Sequence, residues 1–444
     1  MRSKLLALFV ISLGCASARA NTSLAPLQAP PVASPTLIAL ATRALSDDAA
    51  TADAAIASLR AAGPDGLDAL FAAHAAEVER LRAGELYTPR AVRLRAALDR
   101  VARQRDAYAA RLYWYTDLDD ATCAAQRAHK PVLSLRLLGD LGEDLSCANS
   151  RFFRTALYPN ASVRAALREG YVLHWKSERP APRITVDFGD GRQIVRTITG
   201  NSVHYVLDER GRPVDALPGL LGPGAFLRVL ERARVVAVAT ANDPDRAAHL
   251  AAWHAGEAQR LSREWDTLMT ALGAPGAPPP GTPTSLALAP SAVVAAPIAA
   301  SKAVVEGPMV AALQGPVAPL ARPADAVWSA LLDRYAPEAR LDASSRGLMR
   351  AKLAGERGAQ PGATGFDQRV SAFERSIAED TVRNEFTLHR TVHGWMAEAP
   401  AADLEALNAR VYASLFLTPR ADPWLGLVAP DGYSALDADG LTTR

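Results

Sequence analysis

A long stretch without charge divides this 444-residue chain into two parts. Residues 267–301 contain no Asp, Glu, Lys or Arg, and they include the run PGAPPPGTP. A segment so rich in Pro and Gly cannot bury a core of its own, and its composition is typical of a linker. We therefore expect one folded unit before a linker at 273–323 and a second folded unit after it.

Composition and hydrophobic spacing predict the other boundaries. Residues 21–36 are rich in Pro, Ala and Ser and carry no charge, which indicates a tether. Apolar residues at spacings of three and four predict helices on both sides of the linker, including a bundle of two to four near the N-terminus. The predicted organisation is a signal peptide at 1–20, the tether at 21–36, a helical region at 37–112, an α/β domain at 113–235, a helix at 236–272, the linker at 273–323 and a separate, mainly α-helical C-terminal unit at 324–444.

The first twenty residues have the features of a cleaved export signal. Arg2 and Lys4 precede an apolar run at 5–13, and Ala18-Arg19-Ala20 places small residues where a signal peptidase reads. We expect a periplasmic or secreted protein of a bacterium. Lipid anchoring at Cys15, which follows Leu13 and Gly14, is the less favoured alternative.

Charge and cysteine content exclude several classes of function. Lys and Arg total 49 against 47 for Asp and Glu, so no large field of one sign attracts nucleic acid. After the signal there is no apolar run of the ~18 residues that a membrane-spanning helix requires. Only Cys123 and Cys147 remain after cleavage, too few for a disulfide framework.

Helix and strand signals alternate between residues 113 and 233. Helix candidates lie at 120–129, at 147–157 and near 163–169, and GAFLRVLERA predicts a closing helix. The segments KPVLSLRLLG, YVLHW and VHYVLD read as strands, and RITVDF and QIVRTI flank the hairpin signal GDGR. This alternation predicts an α/β sandwich around one sheet.

The stretch EDLSCANSRFF contains the residues with the most evident chemistry. Ser146 is a plausible N-cap, which would place Cys147 in the first turn of a helix, where the exposed amides favour a thiolate. The Ser150 hydroxyl, one turn later, could donate a hydrogen bond to the sulfur. Charged neighbours of both signs leave the direction of any pKa shift open: Arg151, Arg154, Glu143 and Asp144.

The order of elements in 113–233 resembles that of the thioredoxin-like superfamily. HKPVLSLRLLG is similar to its Lys-Pro entry strand, and CANS falls where its CxxC or CxxS motif falls. VHYVLDERGRPVDALPGLLGPGAFLRVL resembles its later strand, turn, strand and last helix. The resemblance implies a thioredoxin-like fold with Cys147 and Ser150 as the catalytic positions.

Two positions depart from the family's pattern. Ser150 stands where dithiol members have the resolving cysteine, so a mixed disulfide at Cys147 would wait for another thiol. Ser202 stands near the family's cis-proline, and because a cis bond without proline costs about 2.5–4 kcal/mol, we expect a trans peptide and a reshaped groove. Cys123 is interpreted as a small buried residue, with pairing to Cys147 as the alternative.

Two functions of different classes follow. The first is thiol chemistry, in which Cys147 is a monothiol that exchanges with a thiol- or disulfide-containing envelope protein or forms a reversible sulfenate, with Ser150 as hydrogen-bond donor. The second is a non-catalytic thioredoxin-like binding scaffold in the cell envelope. Neither requires a cofactor or a metal.

Other residues give weaker signals. Glu385, His389 and His393 are spaced to share one helix face, an arrangement that can hold a metal, although polar surface or hydrogen-bonded residues are the favoured interpretation. His174 and His204 lie in apparent strands; either could act as a base for Cys147, but a strand histidine is more often simply hydrogen-bonded. Asp187 and Asp190 are explained by the hairpin rather than by calcium.

Overall fold

The computed structural model describes residues 34–85, 87–198, 200–280, 323–357, 363–400, 403–425 and 427–428. The predicted signal peptide, the possible lipid anchor at Cys15, most of the tether and most of the linker lie outside these ranges. Among the described residues, no helix combines the length and the apolar character that crossing a membrane requires.

The described part of the N-terminal region, from residue 34 onward, contains six helices, more than the two to four predicted. They are α1 (Pro35–Arg43), α2 (Ala49–Ala61), α3 (Pro64–Ala73), α4 (Ala75–Arg82), α5 (Pro89–Ala102) and the short α6 (Ala107–Ala110). Pro64 and Pro89 each begin a helix, as their fixed φ favours. The boundary at His74 has no Gly or Pro to mark it, which is why the sequence pattern suggested fewer helices.

A mixed five-stranded sheet forms the centre of the molecule, which confirms the predicted α/β class. Its strands run in the order β1-β3-β2-β6-β7, with β1, β3 and β2 parallel and β6 and β7 each antiparallel to the preceding neighbour in that order. The strands are β1 (Trp114–Tyr115), β2 (Val132–Leu138), β3 (Val172–Arg179), β6 (Ser202–Leu207) and β7 (Pro213–Pro218). A separate hairpin consists of β4 (Arg183–Asp187) and β5 (Gln193–Thr197).

Helices cover both faces of this sheet. Within the central region they are α7 (Leu118–Ala128), α8 (Ala148–Phe152), which continues as a π-helical turn (Phe153–Leu157), α9 (Ala161–Gly170), α10 (Pro223–Thr240) and α11 (Arg246–Ala271). The C-terminal region contains α12 (Asp325–Ala339), α13 (Ala343–Arg357), α14 (Ala363–Arg383), a π-helical turn (Asn384–His389), α15 (Arg390–Glu398), α16 (Leu404–Arg410) and a last π-helical turn (Val411–Leu415).

The middle strand β2 separates two hydrophobic cores. All seven of its residues are buried, and Leu133, Leu135 and Leu137 point into one core, here called the main core. Val132 and Leu138 belong to the other, here called the Cys147-side core because Cys147 lies in it. Five of its seven residues are apolar, as expected for a strand that is buried on both faces, and the two polar ones, Ser134 and Arg136, are buried with them.

The C-terminal helices pack into both of these cores. Leu331, Ile377 and Phe386 contribute to the main core, whereas Val392 and Tyr412 contribute to the Cys147-side core. The region predicted as a separate C-terminal unit therefore shares its buried apolar surface with the sheet.

The start of the predicted linker is also held against the fold. Trp265 Nε1 donates a hydrogen bond to the carbonyl of Ala277 at 2.7 Å, and Thr387 Oγ1 donates to the carbonyl of Pro280 at 2.6 Å. Residues 281–322 lie outside the described ranges.

Candidate functional site

Cys147 follows the loop that leaves the C-terminal end of β2. Its backbone is extended, and Cys147 itself is the N-cap of α8, with Sγ accepting a hydrogen bond from the Ser150 amide at 3.4 Å. The prediction that Ser146 caps the helix was therefore wrong by one residue. The helix begins one residue later than predicted because the sulfur of Cys147, rather than the hydroxyl of Ser146, accepts the hydrogen bond from the Ser150 amide.

Cys147 and Ser150 are both completely buried. The Ser150 hydroxyl makes no hydrogen bond, so the predicted bond from this hydroxyl to the sulfur is not formed, and the backbone amide of Ser150 takes its place. Gly200 closes the other side: a Cβ at this residue would lie 2.8 Å from Cys147 Cβ. Solvent and small reagents thus have no direct access to the sulfur.

The C-terminal segment 411–425 lies beside this site. The Tyr412 hydroxyl donates to the Asn201 carbonyl at 3.2 Å, and the Asn201 amide donates to Thr418 Oγ1 at 2.9 Å. Arg179 donates to the carbonyl of Asp422 at 2.6 Å. The peptide bond before Ser202 is trans, as predicted. The surface beside Cys147 is therefore occupied by the chain itself.

The two arginines near Cys147 have other partners. Arg151 donates to the Ser146 carbonyl at 2.6 Å, while the buried Arg154 pairs with Asp106 at 3.1 Å and Asp144 at 3.3 Å. Arg154 is thus neutralised by two carboxylates, and Arg151 is bound to the backbone of the loop before Cys147.

Cys123 is exposed on α7, and it forms no disulfide with the buried Cys147. The prediction of a buried Cys123 was wrong, because Ala121 and Ala125 take the buried positions of this helix and Cys123 lies between them. The alternative prediction, pairing with Cys147, is not realised either.

The two strand histidines are buried and bonded elsewhere. His174 Nδ1 lies 2.8 Å from Ser134 Oγ, and burial lowers the pKa of His174 to about 3. His204 Nε2 lies 2.8 Å from the Tyr158 hydroxyl, and burial lowers the pKa of His204 to about 3 as well. His204 packs edge-on against Phe153 in the main core, on the opposite face of the sheet from Cys147. The interpretation of strand histidines as hydrogen-bonded residues holds for both.

The hairpin interpretation also holds for Asp187 and Asp190. Asp187 accepts a hydrogen bond from the Gly189 amide at 2.8 Å, and Asp190 accepts one from the Arg192 amide at 3.0 Å. Gly189 and Gly191 supply the positive φ that this turn requires.

A second polar cluster lies where β7, α11 and the start of α15 meet. It contains one carboxylate and three imidazoles, all at most 4% exposed: Asp215, His254, His389 and His393. His389 Nε2 lies 3.0 and 3.1 Å from the two carboxylate oxygens of Asp215. His254 Nδ1 lies 2.8 Å from His393 Nδ1. We call these four residues the Asp–His cluster.

The imidazoles of this cluster act on the pKa of its one carboxyl group, Asp215. Burial alone would raise the pKa of Asp215, but the neighbouring imidazoles of His389, His393 and His254 hold it below its usual range. Burial lowers the pKa of His254 to about 4 and lowers that of His393 well below its ordinary value. Asp215 also accepts a hydrogen bond from the Ala216 amide at 2.8 Å. The arrangement is an ionised carboxylate surrounded by imidazole nitrogens.

Glu385 does not join the two histidines with which it was predicted to share a helix face. It forms a bidentate pair with Arg228 of α10, at 2.7 and 3.1 Å. The turn Asn384–His389 is π-helical, so the register expected for an α-helix does not apply across it. This is why His389 and His393 meet each other without Glu385.

Sequence reasoning missed Asp215 and His254. Asp215 lies in the edge strand β7, 174 residues before its partner His389, and His254 lies in α11, 139 residues before its partner His393. A polar residue within an otherwise apolar strand was the only signal for Asp215. Nothing local in α11 distinguished His254 from a solvent-facing histidine.

No protein-family model, curated protein or solved structure gives a significant match to this chain.

Proposed function

We propose that this protein is a non-catalytic, thioredoxin-like scaffold of the bacterial cell envelope, in which Cys147 serves packing. The central domain supplies a sheet against which the N-terminal and C-terminal helices are organised. Its role is to bind another envelope protein rather than to exchange disulfides.

The order of elements supports the thioredoxin-like part of the proposal. Helix α7 leads into the middle strand β2, and Cys147 follows at the start of the next helix. Later elements occur in the order strand β6, turn, strand β7 and helix α10. This is the sequence of elements on which the resemblance rests.

The complete burial of Cys147 carries the non-catalytic part. A thiol must be reached as a thiolate by its substrate, and reactive cysteines occupy partly exposed, electropositive surroundings. Cys147 is 0% exposed, Gly200 packs against it, and Arg154 is paired with carboxylates. A buried cysteine in apolar surroundings behaves as a small hydrophobic residue.

Alkylation of the native protein, resolved by peptide mass spectrometry, tests the proposal. We expect iodoacetamide to modify the exposed Cys123 in native buffer and Cys147 only after unfolding. In Cys123→Ser, native Cys147 should stay unmodified. Modification of Cys147 in native buffer at a rate near that of Cys123 would refute the scaffold role.

Monothiol exchange is the second candidate, favoured by one observation. Cys147 Sγ already accepts the Ser150 amide at the helix start, a contact that would stabilise a thiolate. This function requires segment 411–425 to leave the site. Alkylation of Cys147 at urea concentrations well below global unfolding would support it, whereas reaction only in step with global unfolding would exclude it.

A further inference from the structure

We propose that the Asp–His cluster is a binding site for one divalent transition-metal ion, with Asp215, His254 and His393 as ligands. One ligand atom from each of these three buried residues lies within 4.8 Å of the other two. The three residues come from β7, α11 and α15, so the ion would connect the edge of the sheet to two helices. This inference does not depend on the function proposed for Cys147.

The donor set determines the class of ion. Two imidazole nitrogens and one carboxylate suit Zn²⁺ or Fe²⁺. Ca²⁺ and Mg²⁺ prefer oxygen ligands, and only Asp215 supplies oxygen among the three. We therefore expect selectivity for zinc-like ions over calcium and magnesium.

A second observation concerns the ring nitrogens of His254, which is completely buried among the other members of the cluster. Its Nδ1 faces His393 Nδ1 at 2.8 Å, a contact in which one neutral imidazole must donate and the other must accept. A cation placed between these nitrogens and Asp215 would accept lone pairs from both rings.

The distances are close to those of a tetrahedral site. Zinc bonds of about 2.0–2.2 Å place neighbouring ligand atoms about 3.3 Å apart. The two Nδ1 atoms are 2.8 Å apart, and His393 Nδ1 lies 3.9 Å from Asp215 Oδ1, so the present separations fall on either side of that value. Shifts of about half an ångström would bring these two pairs to the tetrahedral separation, and the third pair, His254 and Asp215, lies within 4.8 Å.

His389 takes a positioning role. Its Nε2 lies within hydrogen-bond distance of both oxygens of Asp215 and can orient the carboxylate toward the other two ligands. Outer partners of this kind typically change metal affinity by 10–100-fold when they are removed. All four side chains are buried, and three protein ligands leave the fourth position of a tetrahedral ion to a water molecule.

Metal titration of the full-length protein, after treatment with a chelator, tests the site. We expect one equivalent of Zn²⁺ by isothermal titration calorimetry, a rise in the melting temperature with Zn²⁺, and a four-coordinate absorption spectrum with Co²⁺. Ca²⁺ and Mg²⁺ should give neither binding nor stabilisation. Failure of Zn²⁺, Co²⁺ and Fe²⁺ to bind stoichiometrically would show that the cluster is a hydrogen-bonded network only.

Variants identify the ligands. His393→Ala should lose the bound equivalent, whereas His249→Ala should keep it, since His249 is 62% exposed on the same helix as His254. His389→Gln should keep one equivalent with affinity reduced by about 10–100-fold. Unchanged binding in a folded His393→Ala would overturn the assignment, and so would complete loss of binding in a folded His389→Gln. If His393→Ala does not fold, the wild-type titration still decides whether the site exists.

Discussion

Gly200 passes so close to Cys147 that a side chain at this residue has no room. A Cβ there would lie 2.8 Å from Cys147 Cβ and 3.2 Å from the amide nitrogen of Ala148, distances at which backbone or sulfur must move. We expect Gly200→Ala to lower the free energy of unfolding by about 1–3 kcal/mol because of overpacking. Urea denaturation followed by circular dichroism measures the change.

Gly256→Ala is the matched control for that substitution. Gly256 lies within α11, and no atom approaches within 4 Å of a Cβ built there. Since alanine forms helices better than glycine, the free energy of unfolding of Gly256→Ala should be about 0.5–1 kcal/mol higher than that of the wild type. Equal stability of Gly200→Ala and the wild type would show that the Cys147 site can open without cost.

Asp99 is a buried carboxyl whose charge is only partly compensated. Burial and the neighbouring Asp106 raise the pKa of Asp99 to about 7, against the opposing effects of the Ala107 amide, Arg105 and Arg95. The amide of Ala107 donates to Asp99 at 2.9 Å, and Arg105 lies 3.3 Å away. The folded state therefore binds a proton more tightly than the unfolded chain.

This shift predicts a pH-dependent effect of Asp99→Asn. Between the unfolded pKa of about 4 and the folded pKa of about 7, the native state holds more protons, so Asp99 lowers stability as pH rises, with a slope approaching 1.4 kcal/mol per unit at most. Asparagine can still accept the Ala107 amide without charge. From pH 5 to pH 8, the free energy of unfolding of Asp99→Asn, measured by urea denaturation, should rise relative to that of the wild type. A difference between the two proteins that is constant with pH would contradict this.

Individual residues were predicted unevenly from the sequence. The start of a helix within one residue of Cys147 and the trans peptide at Ser202 followed from local patterns, since both depend on neighbours in the chain. The burial of Cys147 and the exposure of Cys123 did not, because each depends on which distant segment covers the site. For Cys147 that includes residues beyond 400, which carry no local signal of where they pack.

The π-helical turn Asn384–His389 is the element that changes the register of the C-terminal helices. It turns Glu385 toward Arg228 and leaves His389 and His393 facing each other, with ring centres 4.1 Å apart. An insertion of this kind is frequent at functional sites, which agrees with its position beside the Asp–His cluster. Its existence could not be predicted from hydrophobic spacing, since the apolar residues around it fit an uninterrupted α-helix.

The Arg228–Glu385 pair fixes this turn against α10. Glu385 is 1% exposed, whereas Arg228 is one-third exposed and also lies 3.7 Å from Glu338. We expect Glu385→Ala to cost about 2–3 kcal/mol, below the full cost of breaking a completely buried pair because solvent and Glu338 partly compensate Arg228. Urea denaturation measures the loss.

An exposed ion pair on α10, the helix that carries Arg228, provides the control for Glu385→Ala. Arg234 and Glu231 form a bridge at 2.7 Å, with side chains 37% and 61% exposed. Glu231→Ala should change stability by less than about 1 kcal/mol. Equal effects of the two alanine substitutions would mean that the buried pair contributes no more than an exposed one.

At the scale of the whole molecule, the sequence predicted the parts better than their assembly. The strands β2, β3 and β6, the hairpin and the α/β class could be derived from alternation and turn residues within short windows. The cores that the sheet shares with the C-terminal helices could not be derived in this way. The charge-free segment separates α11 from α12 in sequence, and its composition does not indicate how far apart the two helices lie in space. Phe386 packs against Trp265, 121 residues earlier in the chain, and Tyr412 bonds to Asn201, 211 residues earlier.

The position of segment 411–425 over the Cys147 side has a consequence for biogenesis. A ribosome synthesises these residues after the sheet, so the strands can pair before their cover exists. The Cys147-side core contains both Cys147 and Tyr412, so it is complete only when this segment docks. The packing around the thiol therefore depends on residues that are synthesised after the sheet, and a chain truncated before residue 411 would leave that core open.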